Sequence, residues 1–366
     1  MHNSILVSQN LRELIENKVI TSTSSIKESQ IQPASLDLTL SEYAYEIKES
    51  FLPKRGQTIE SILKKESIKK FNLNKNNELL SGNIYLIPLQ ESLALLPSQE
   101  GKSNPKSSIG RIDLFVRLIA DSYPAFDRIP KGYTGKLYLL TIPQSFNVLA
   151  SPGLSLNQLR IFEGSPRLND YELHLALRKN NLIYYGNNAA DAKEINIDGG
   201  IYLTININKG VVAYRSKSVK APIDLSKDKS HKITDFWDII ESKNDAITIE
   251  QDKFYLLTPK EKVRIPLNLA GDLEAINEEF GDFRSHYAGF FDPGFGYGED
   301  GSVKGTNVTL EVRPLKHSFK LNDRQFMCRI IYERTSQMPD KVYGSVKIGS
   351  HYLRQAGINP GKYFAP

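Results

Sequence analysis

The sequence predicts a mainly β protein made of two similar domains in tandem, with a few short helices. Clusters of Gly, Pro, Asn and Asp separate short runs rich in β-branched and aromatic residues, a pattern typical of sandwiches and barrels. These runs lie at residues 83–89, 136–142, 201–208, 253–259 and 307–313. The two halves also resemble each other after a shift of about 170 positions, which brings Tyr85 onto Tyr255 and Arg160 onto Arg329. A repeat of this length indicates a duplicated domain rather than a solenoid unit.

The length agrees with two domains, because 366 residues exceed what one hydrophobic core usually serves. We place the boundary near residue 165, with a first domain at 1–165 and a second at 166–366. At the N-terminus, Leu11, Leu14, Ile15 and Val19 follow Ser8 at helical spacing. A short amphipathic helix with Ser8 as its N-cap is therefore expected.

Composition excludes several classes of protein. The single cysteine, Cys328, cannot form an intrachain disulfide or a Cys-rich zinc site. No run approaches eighteen apolar residues, and charges come too early for a signal peptide. The net charge of +5 is mild, and lysines such as Lys64 and Lys65 alternate with apolar residues as on a solvated helix face. We expect a cytoplasmic protein without a membrane or nucleic-acid partner.

Four segments carry candidate chemistry. They are "IQPASLDLTL" at residues 31–40, "KSSIGRIDL" at 106–114, "FFDPGF" at 290–295 with "VTLEV" at 308–312, and "VYGSVKIGSHYLRQAG" at 342–357. In this order they resemble the segments of the dCTP deaminase family in its long, duplicated form. The resemblance implies two dUTPase-like β-barrel or jelly-roll domains. It also implies metal-independent deamination of dCTP to dUTP and ammonia, which supplies dUTP for thymidylate synthesis.

The second segment is a candidate phosphate arm. Lys106, Ser107, Ser108 and Arg111 provide cations and hydroxyl donors within six residues, and arginine can bind phosphate oxygens bidentately. The resemblance further implies that Ser107 and Arg111 order the catalytic water. A polar surface turn is the alternative interpretation.

The third segment holds the candidate catalytic carboxylate. Strand alternation places Thr309 and Glu311 on one face, with Val308, Leu310 and Val312 on the other. If the first face lines a cleft, Glu311 can accept a proton from water attacking C4 of cytosine and pass it to N3 or to the leaving ammonia. An exposed strand glutamate is the alternative.

The resemblance assigns substrate contacts to further residues. Asp292 would bind the deoxyribose 3′-hydroxyl, although a plain turn aspartate is the alternative, and Phe291 or Phe295 would press against the sugar. The remaining predicted contacts, which include the residues that close over the triphosphate and base, are Thr309, Leu310, Tyr343, His351 and Gln355.

The two halves depart from the family pattern in complementary ways. The first half has residues 129–132, Ile-Pro-Lys-Gly, where Asp-Pro-Gly is expected, and Leu140 where the glutamate would lie. The second half has Asp272 and Glu274 where the phosphate arm is expected, and these carboxylates would repel phosphate. One arm and one Asp/Glu pair would make one complete site per chain, formed either within a chain or between chains.

Other site types find no support in the sequence. The six histidines are not arranged as in zinc deaminases, and the glycine-rich stretch at 294–305 lacks the Gly-Lys-Ser/Thr ending of a P-loop. We expect no protein-bound cofactor, with Mg²⁺ accompanying the triphosphate. The expected ligands are dCTP and dUTP, with dTTP as a candidate inhibitor, and the chain is expected to form a homo-oligomer.

Two other functions stay open. A dUTPase, or a bifunctional dCTP deaminase and dUTP diphosphatase, would share the fold and the Asp292 turn. A non-catalytic deoxynucleotide-binding regulator would explain the half-site lost from each repeat, although the retained Glu311 argues against it.

Overall fold

The computed structural model describes residues 3–75, 77–208, 210–242, 244–275, 278–281, 283–284, 289–345, 352 and 355–365. In these residues the chain is mainly β, as predicted. The described α-helices are short: Ser8–Glu16, Ile59–Glu66, Ser107–Gly110, Asp170–Asn180 and Ile233–Phe236. Two 3-10 turns lie at Glu28–Gln30 and Glu278–Phe280. None of these helices is long and apolar enough to cross a membrane.

The first half contains two antiparallel sheets. One has the strand order Ser4–Ile5, Ser155–Glu163, Gln99–Pro105 and Arg128–Ile129, with Leu36–Thr39 also pairing to Ser155–Glu163. The other has the order Ser67–Asn72, Tyr43–Ile47, Ile84–Ala94, Thr134–Pro143 and Leu114–Ala120, with Ile20–Ser22 also pairing to Ile84–Ala94. Apolar residues alternate along these strands, so the inner faces of both sheets bury a common core that includes Leu38, Leu159, Ile87 and Leu139.

The second half repeats this arrangement. Its first sheet has the order Ile201–Thr204, Phe326–Arg334, Leu269–Ala275 and Phe290–Phe291. Its second has the order Trp237–Glu241, Val211–Ser216, Tyr255–Leu257, Leu310–Pro314 and Phe283–Arg284. Short strands complete the described set: Glu78–Leu79 and Val148–Leu149 with Ile223–Asp224, Ile183–Tyr185 and Asn188–Ala189 with Lys262–Val263, His231–Lys232 with Phe364–Ala365, and Ala246–Ile249 with Phe319–Asn322.

Equivalent buried hydrogen bonds in the two halves indicate that both halves have the same architecture. The Glu91 carboxylate accepts hydrogen bonds from the Thr39 backbone N–H (2.8 Å) and hydroxyl (2.7 Å). The Glu261 carboxylate, 170 residues later, accepts the same two bonds from Thr204 at the same two distances. The predicted match of Arg160 to Arg329 is wrong, because Arg160 lies opposite Lys102 whereas Arg329 lies opposite Glu274, two positions further along its ladder.

Two further expectations need correction. The strand orders are open in the described part of the chain, so each half is a sandwich of two sheets rather than a closed barrel. At the N-terminus, Val7 is the N-cap of the first helix and Ser8 its first residue. The Ser8 hydroxyl donates to Asp340 instead of capping the helix, and Val19 lies beyond the helix end, packed against the core.

The two halves are packed together. Val148–Leu149 of the first half pairs in parallel with Ile223–Asp224 of the second. The first-half core also takes in Trp237, Phe254 and, from the C-terminal tail, Tyr363. This packing brings the strand ends of one half against those of the other, and a cavity lies between them.

Candidate active site

A cavity of about 450 Å³ lies where the two halves meet, and both halves contribute to its walls. First-half residues come from the end of one sheet and the helical turn after it, and second-half residues come from strand ends and the C-terminal tail. The lining residues are Gln32, Asp37, Lys106, Ser107, Ser108, Arg111, Gln158, Phe290, Phe291, Asp292, Phe295, Val308, Thr309, Glu311, Tyr343, Tyr352 and Lys362. The two half-sites predicted from the sequence therefore share one cavity within a single chain.

The predicted phosphate arm forms one wall. Pro105 ends the strand Gln99–Pro105, Lys106 stays extended, and Ser107–Gly110 makes one helical turn that presents polar side chains to the cavity. Lys106, Ser107, Ser108 and Arg111 all line it. This segment is not a polar surface turn, since Ser108 and Arg111 are buried.

Lys106 is paired with a carboxylate in the cavity wall. Its ammonium group forms an ion pair with Asp37, the one acidic residue of the "IQPASLD" segment. Asp37 is buried, and burial raises the pKa of its carboxyl group, although Lys106 opposes this. Asp37 Oδ1 finds no hydrogen-bond partner among the described residues. Gln158, another lining residue, lies opposite Asp37 on the neighbouring strand.

Arg111 is fixed by the C-terminal tail. Its Nη1 donates to Gln355 Oε1 and to the Asn359 carbonyl, both at 2.9 Å, and its guanidinium lies 3.8 Å from the centre of the Tyr352 ring. Its Nε finds no partner within the described residues. Arg111 thus reaches the cavity with a defined orientation and with donor capacity left over for a ligand.

Glu311 reaches the cavity from the second half. It lies in the strand Leu310–Pro314, is buried, and has its carboxylate against Gly110 of the arm. Two residues later, Arg313 forms an ion pair with the buried Asp113, which follows the arm. These contacts hold the glutamate strand of one half against the arm of the other, so an exposed strand glutamate is excluded.

The strand begins later than predicted, at Leu310, and this limits the alternation argument. Thr309 and Glu311 both line the cavity, but so does Val308, because it precedes the strand. Leu310 and Val312 are buried in the second-half core. The Leu310 side chain therefore points away from the cavity, and its predicted contact with substrate is not supported by its placement.

Asp292 lies directly after the strand Phe290–Phe291 and is held near a buried arginine from the first half. Arg160 Nη2 donates to the Phe291 carbonyl (2.8 Å) and lies 3.6 Å from Asp292 Oδ1. The Arg160 guanidinium also lies 4.0 Å from the centre of the Phe290 ring. Burial raises the pKa of Asp292 to about 6, with Arg160 opposing and Asp37 adding to the rise.

Aromatic rings form the wall beside Asp292. The ring centres of Phe291 and Phe295 are 4.7 Å apart, and those of Phe295 and Tyr343 are 5.4 Å apart. Gln355 does not line the cavity but touches two residues that do, because its Nε2 donates to Thr309 Oγ1 (2.8 Å) and its Oε1 accepts from Arg111. His351 lies outside the described residues.

The first half carries no equivalent of Glu311. Leu140 lies opposite Leu86 and Glu311 opposite Leu256, which is the counterpart of Leu86 170 residues later. Leu140 therefore occupies the position of Glu311, as the sequence indicated. It packs with Tyr138 in an apolar cluster covered by Ile59 and Leu63 of the helix Ile59–Glu66.

The arm position in the second half needs a correction. Asp272 and Glu274 lie within Leu269–Ala275, the counterpart of the strand Gln99–Pro105, rather than after it. Asp272 forms an ion pair with Lys102 of the first half. The arm counterpart is residues 276–281, with the sequence INEEFG, which has no lysine or arginine. Residues 276, 277 and 282 are outside the described part of the chain.

Sequence reasoning missed Asp37, Arg160, Tyr352 and Lys362 at this site. Asp37 was within a recognised segment but was given no role, and Arg160 was used only to align the repeats. Tyr352 and Lys362 lie in a tail with no strand or helix pattern, so only its fold reveals them. Within the described residues, no group of three or more His, Cys, Asp or Glu side chains could hold a metal ion.

Comparison with known proteins covers both halves. The family model for the 2′-deoxycytidine 5′-triphosphate deaminase (DCD) N-terminal domain matches residues 2–165, and that for the C-terminal domain matches residues 172–364. The chain is similar to the crystal structure of 2′-deoxycytidine 5′-triphosphate deaminase from Agrobacterium tumefaciens. The two share 34% identity and a TM-score of 0.84, over 91% of this chain and 99% of that one.

A curated relative is the "dCTP deaminase, dUMP-forming" of Methanosphaera stadtmanae. It is 30% identical over 134 residues, which make up 34% of this chain. This chain spans 64% of that relative's length.

Proposed function

The chain belongs to the 2′-deoxycytidine 5′-triphosphate deaminase family, and from this membership and the contents of the cavity we propose that it deaminates dCTP to dUTP and ammonia. The observation that carries the proposal is the meeting of the arm and Glu311 in one cavity. A triphosphate-binding segment and a buried carboxylate are what this reaction requires of a metal-independent enzyme. A non-catalytic regulator would need the first but not the second.

In the proposed reaction, Glu311 is the general acid and base. It accepts a proton from a water molecule as the oxygen attacks C4 of the cytosine ring and a C4–O bond forms. The proton passes to N3. Glu311 then carries the proton of the new C4 hydroxyl to the exocyclic nitrogen, so that ammonia leaves as the C4–N bond breaks and the C4 carbonyl forms. Arg111 and Ser107 would orient the water and the adjacent phosphate, and the tail contacts of Arg111 support its fixed orientation.

The sugar would lie against the aromatic wall. Asp292 is proposed to accept a hydrogen bond from the 3′-hydroxyl, with Phe291 and Phe295 filling the space near C2′. Phe291 and Phe295 line the cavity beside Asp292, which supports this placement. A 2′-hydroxyl would then meet a ring face rather than a polar partner, which disfavours ribonucleotides.

The substrate is proposed to be the Mg²⁺ complex of dCTP. The described cavity walls carry the cations Lys106, Arg111 and Lys362 and the carboxylates Asp37, Asp292 and Glu311. Because these charges are equal in number, the walls alone offer little net positive charge to a triphosphate. A magnesium ion bound to the phosphates, largely through water and phosphate oxygens, would lower the charge that the cavity must accept.

One experiment separates the proposed function from a bifunctional enzyme and from a non-catalytic regulator. Purified protein is incubated with Mg²⁺ and dCTP, and ammonia and pyrophosphate are measured separately. Ammonia without pyrophosphate supports the deaminase. Both products would indicate a bifunctional enzyme, which the name of the Methanosphaera stadtmanae relative favours as the second candidate. Neither product, despite dCTP binding, would indicate a regulator.

We further propose a cytoplasmic homo-oligomer that binds dTTP as an inhibitor. Because the described cavity draws both half-sites from one chain, oligomer formation is not needed to complete it. Light scattering measures the oligomeric state. Competition of dTTP with dCTP in the ammonia assay tests inhibition, and an unchanged rate at saturating dTTP would contradict it.

A further inference from the structure

Three cations line the described part of the cavity, and two of them already have buried or multiple partners. Lys106 is paired with Asp37, whose side chain is 7% exposed. Arg111 is hydrogen-bonded to the tail and packed against the Tyr352 ring. Lys362 is different, because the carboxylate that pairs with it within the described residues, Asp228, has a side chain that is 46% exposed and lies outside the cavity lining. The Lys362 ammonium also lies 5.3 Å from the centre of the Tyr363 ring.

The backbone of Lys362 is held firmly beside the arm. The Lys362 carbonyl accepts a hydrogen bond from the Lys229 backbone N–H (2.8 Å). The next residue, Tyr363, is buried in the first-half core, and its hydroxyl is hydrogen-bonded to Ser108 of the arm. The tail thus fixes the Lys362 Cα at the cavity. The long Lys362 side chain can then reach either Asp228 or a ligand in the cavity.

The two lysine ion pairs differ in the free energy needed to break them. Breaking the Lys106–Asp37 pair would leave a charge in a buried position, which is strongly unfavourable. The Lys362–Asp228 pair is partly open to water, with Lys362 26% exposed, and such pairs contribute little to stability. A polyphosphate carries several negative charges and competes effectively for the ammonium group against one solvated carboxylate.

We propose that Lys362 binds the β- or γ-phosphate of the nucleoside triphosphate, and that Asp228 competes with the substrate for this lysine. The inference rests on the proposed function for its substrate, but it predicts binding behaviour that can be measured without turnover. Lys362 adds a third cation to the cavity wall, where Lys106 and Arg111 are already partly engaged by protein groups. Asp228 keeps the lysine extended and ordered when no nucleotide is present.

Two substitutions with opposite expected effects test this inference. Lys362→Met keeps an unbranched side chain of nearly the same length and removes its charge, so it should weaken dCTP binding about ten-fold or more. Asp228→Asn removes the competing charge, so it should tighten dCTP binding by a factor of about two to five. A purely structural ion pair predicts that both variants weaken binding or lower the melting temperature together.

The experiment measures dissociation constants by calorimetry for Mg²⁺–dCTP and for inorganic tripolyphosphate as a probe without base or sugar. Both probes should show the same order, with Asp228→Asn tightest and Lys362→Met weakest. Lys227→Met is the matched control, since it removes the neighbouring Lys227–Asp224 ion pair outside the cavity and should leave both constants unchanged. Melting temperatures confirm that each variant is folded.

The results distinguish failure of this inference from failure of the proposed function. If wild-type protein releases ammonia from dCTP while Lys362→Met binds both probes as tightly as wild type, the inference is wrong and the function stands. If wild-type protein binds dCTP but releases no ammonia, the proposed function is wrong, and the order of tripolyphosphate affinities still decides the role of Lys362. Weaker binding in Asp228→Asn would also overturn the inference.

Discussion

The carboxylate of Glu311 lies directly on Gly110. A β-carbon built on Gly110 would overlap both carboxylate oxygens of Glu311, at a separation that real β-carbons do not adopt. The contact joins the arm of the first half to the glutamate strand of the second, and Glu311 is 2% exposed, so it has little room to withdraw. The absence of a side chain at Gly110 therefore sets where the carboxylate can lie.

Gly110→Ala should lower the rate of dCTP deamination at least ten-fold, with a smaller change in dCTP affinity. The added methyl group must displace the Glu311 carboxylate, and a displacement of this size misplaces a group that transfers protons. Overpacking should also cost about 1 to 3 kcal/mol of stability. Initial rates and calorimetric binding on the same preparation measure both effects.

A double-mutant cycle supplies the control for that variant. Glu311→Asp shortens the side chain and relieves the clash between its carboxylate and the added methyl group. Gly110→Ala should therefore cost less stability in that background than in wild type. Equal costs in both backgrounds would show that the methyl group meets something other than Glu311. The denaturant midpoints of the four proteins give the coupling free energy.

Glu311→Gln should abolish deamination while leaving dCTP binding nearly intact. The amide has the size of the carboxylate but cannot carry the proton, and general acid and base catalysis is worth roughly 10² to 10⁴ in rate. Ammonia release and a dCTP titration provide the measurements. Turnover above about a tenth of the wild-type rate would remove Glu311 from the catalytic role.

Glu311 and the arm were predictable because each belongs to a short segment whose residue types suit one chemical task. The two-sheet halves were predictable for a similar reason, since strand punctuation and the shift of 170 residues are visible in the sequence. The equal contacts of Glu91 and Glu261 with their threonines agree with that duplication. Patterns of this kind are local and can be recognised without knowledge of the tertiary structure.

The incorrect predictions have a common physical cause. Sequence similarity does not determine which residues lie opposite each other on paired strands. Asp272 and Glu274 were aligned with the arm although they belong to the preceding strand, where Asp272 pairs with Lys102. Arg160 was matched to Arg329, yet its partners are the Phe291 carbonyl and Asp292 across the junction. Contacts between the halves depend on how the two sandwiches pack, and no periodicity in either half reports this.

Asp292→Asn should make the protein more stable at pH 7.5 and equally stable near pH 4. The folded state holds the Asp292 proton up to about pH 6, whereas the ordinary value of 3.8 applies in the unfolded chain. Between these values the folded state binds more protons, so wild-type stability falls as pH rises, and the loss persists above pH 6. Asparagine cannot ionise and avoids this loss, which is at most about 3 kcal/mol.

Denaturant unfolding of both proteins at pH 4, 6 and 7.5 measures this difference directly. Subtracting the variant from wild type cancels the other titrating groups, including Asp37. If Asp292→Asn is instead less stable at pH 7.5, the attraction of Arg160 outweighs the burial of the Asp292 charge. The pKa of Asp292 would then lie below its ordinary value.

Removal of zinc should leave activity unchanged. Proton transfer is assigned to Glu311, and the proposed mechanism uses a metal only as part of the magnesium–nucleotide complex. Extensive treatment with a zinc chelator, followed by resupply of magnesium, tests this with ammonia release as the readout. Loss of activity that zinc alone restores would show that the proposed mechanism is wrong.

Mixing inactive variants should not restore activity, because the arm and Glu311 of one chain line the same cavity. Arg111→Ala removes charge-assisted contacts worth about 1.5 to 3 kcal/mol each and should strongly reduce turnover. Glu311→Gln removes the proton carrier. In a co-refolded mixture, every cavity built within one chain still carries one of the two defects, whichever chains associate.

The control is wild-type protein co-refolded with Arg111→Ala, which should retain activity in proportion to the wild-type fraction and so show that refolding succeeds. A mixture of the two inactive variants that approaches a quarter of wild-type turnover would mean that arms and glutamates pair between chains, as random association predicts. Because Gly110 and Glu311 are in contact within one chain, we expect the mixture to remain no more active than the sum of its parts. That result would also establish that one chain carries one complete site, with Leu140 closing the position that a second would need.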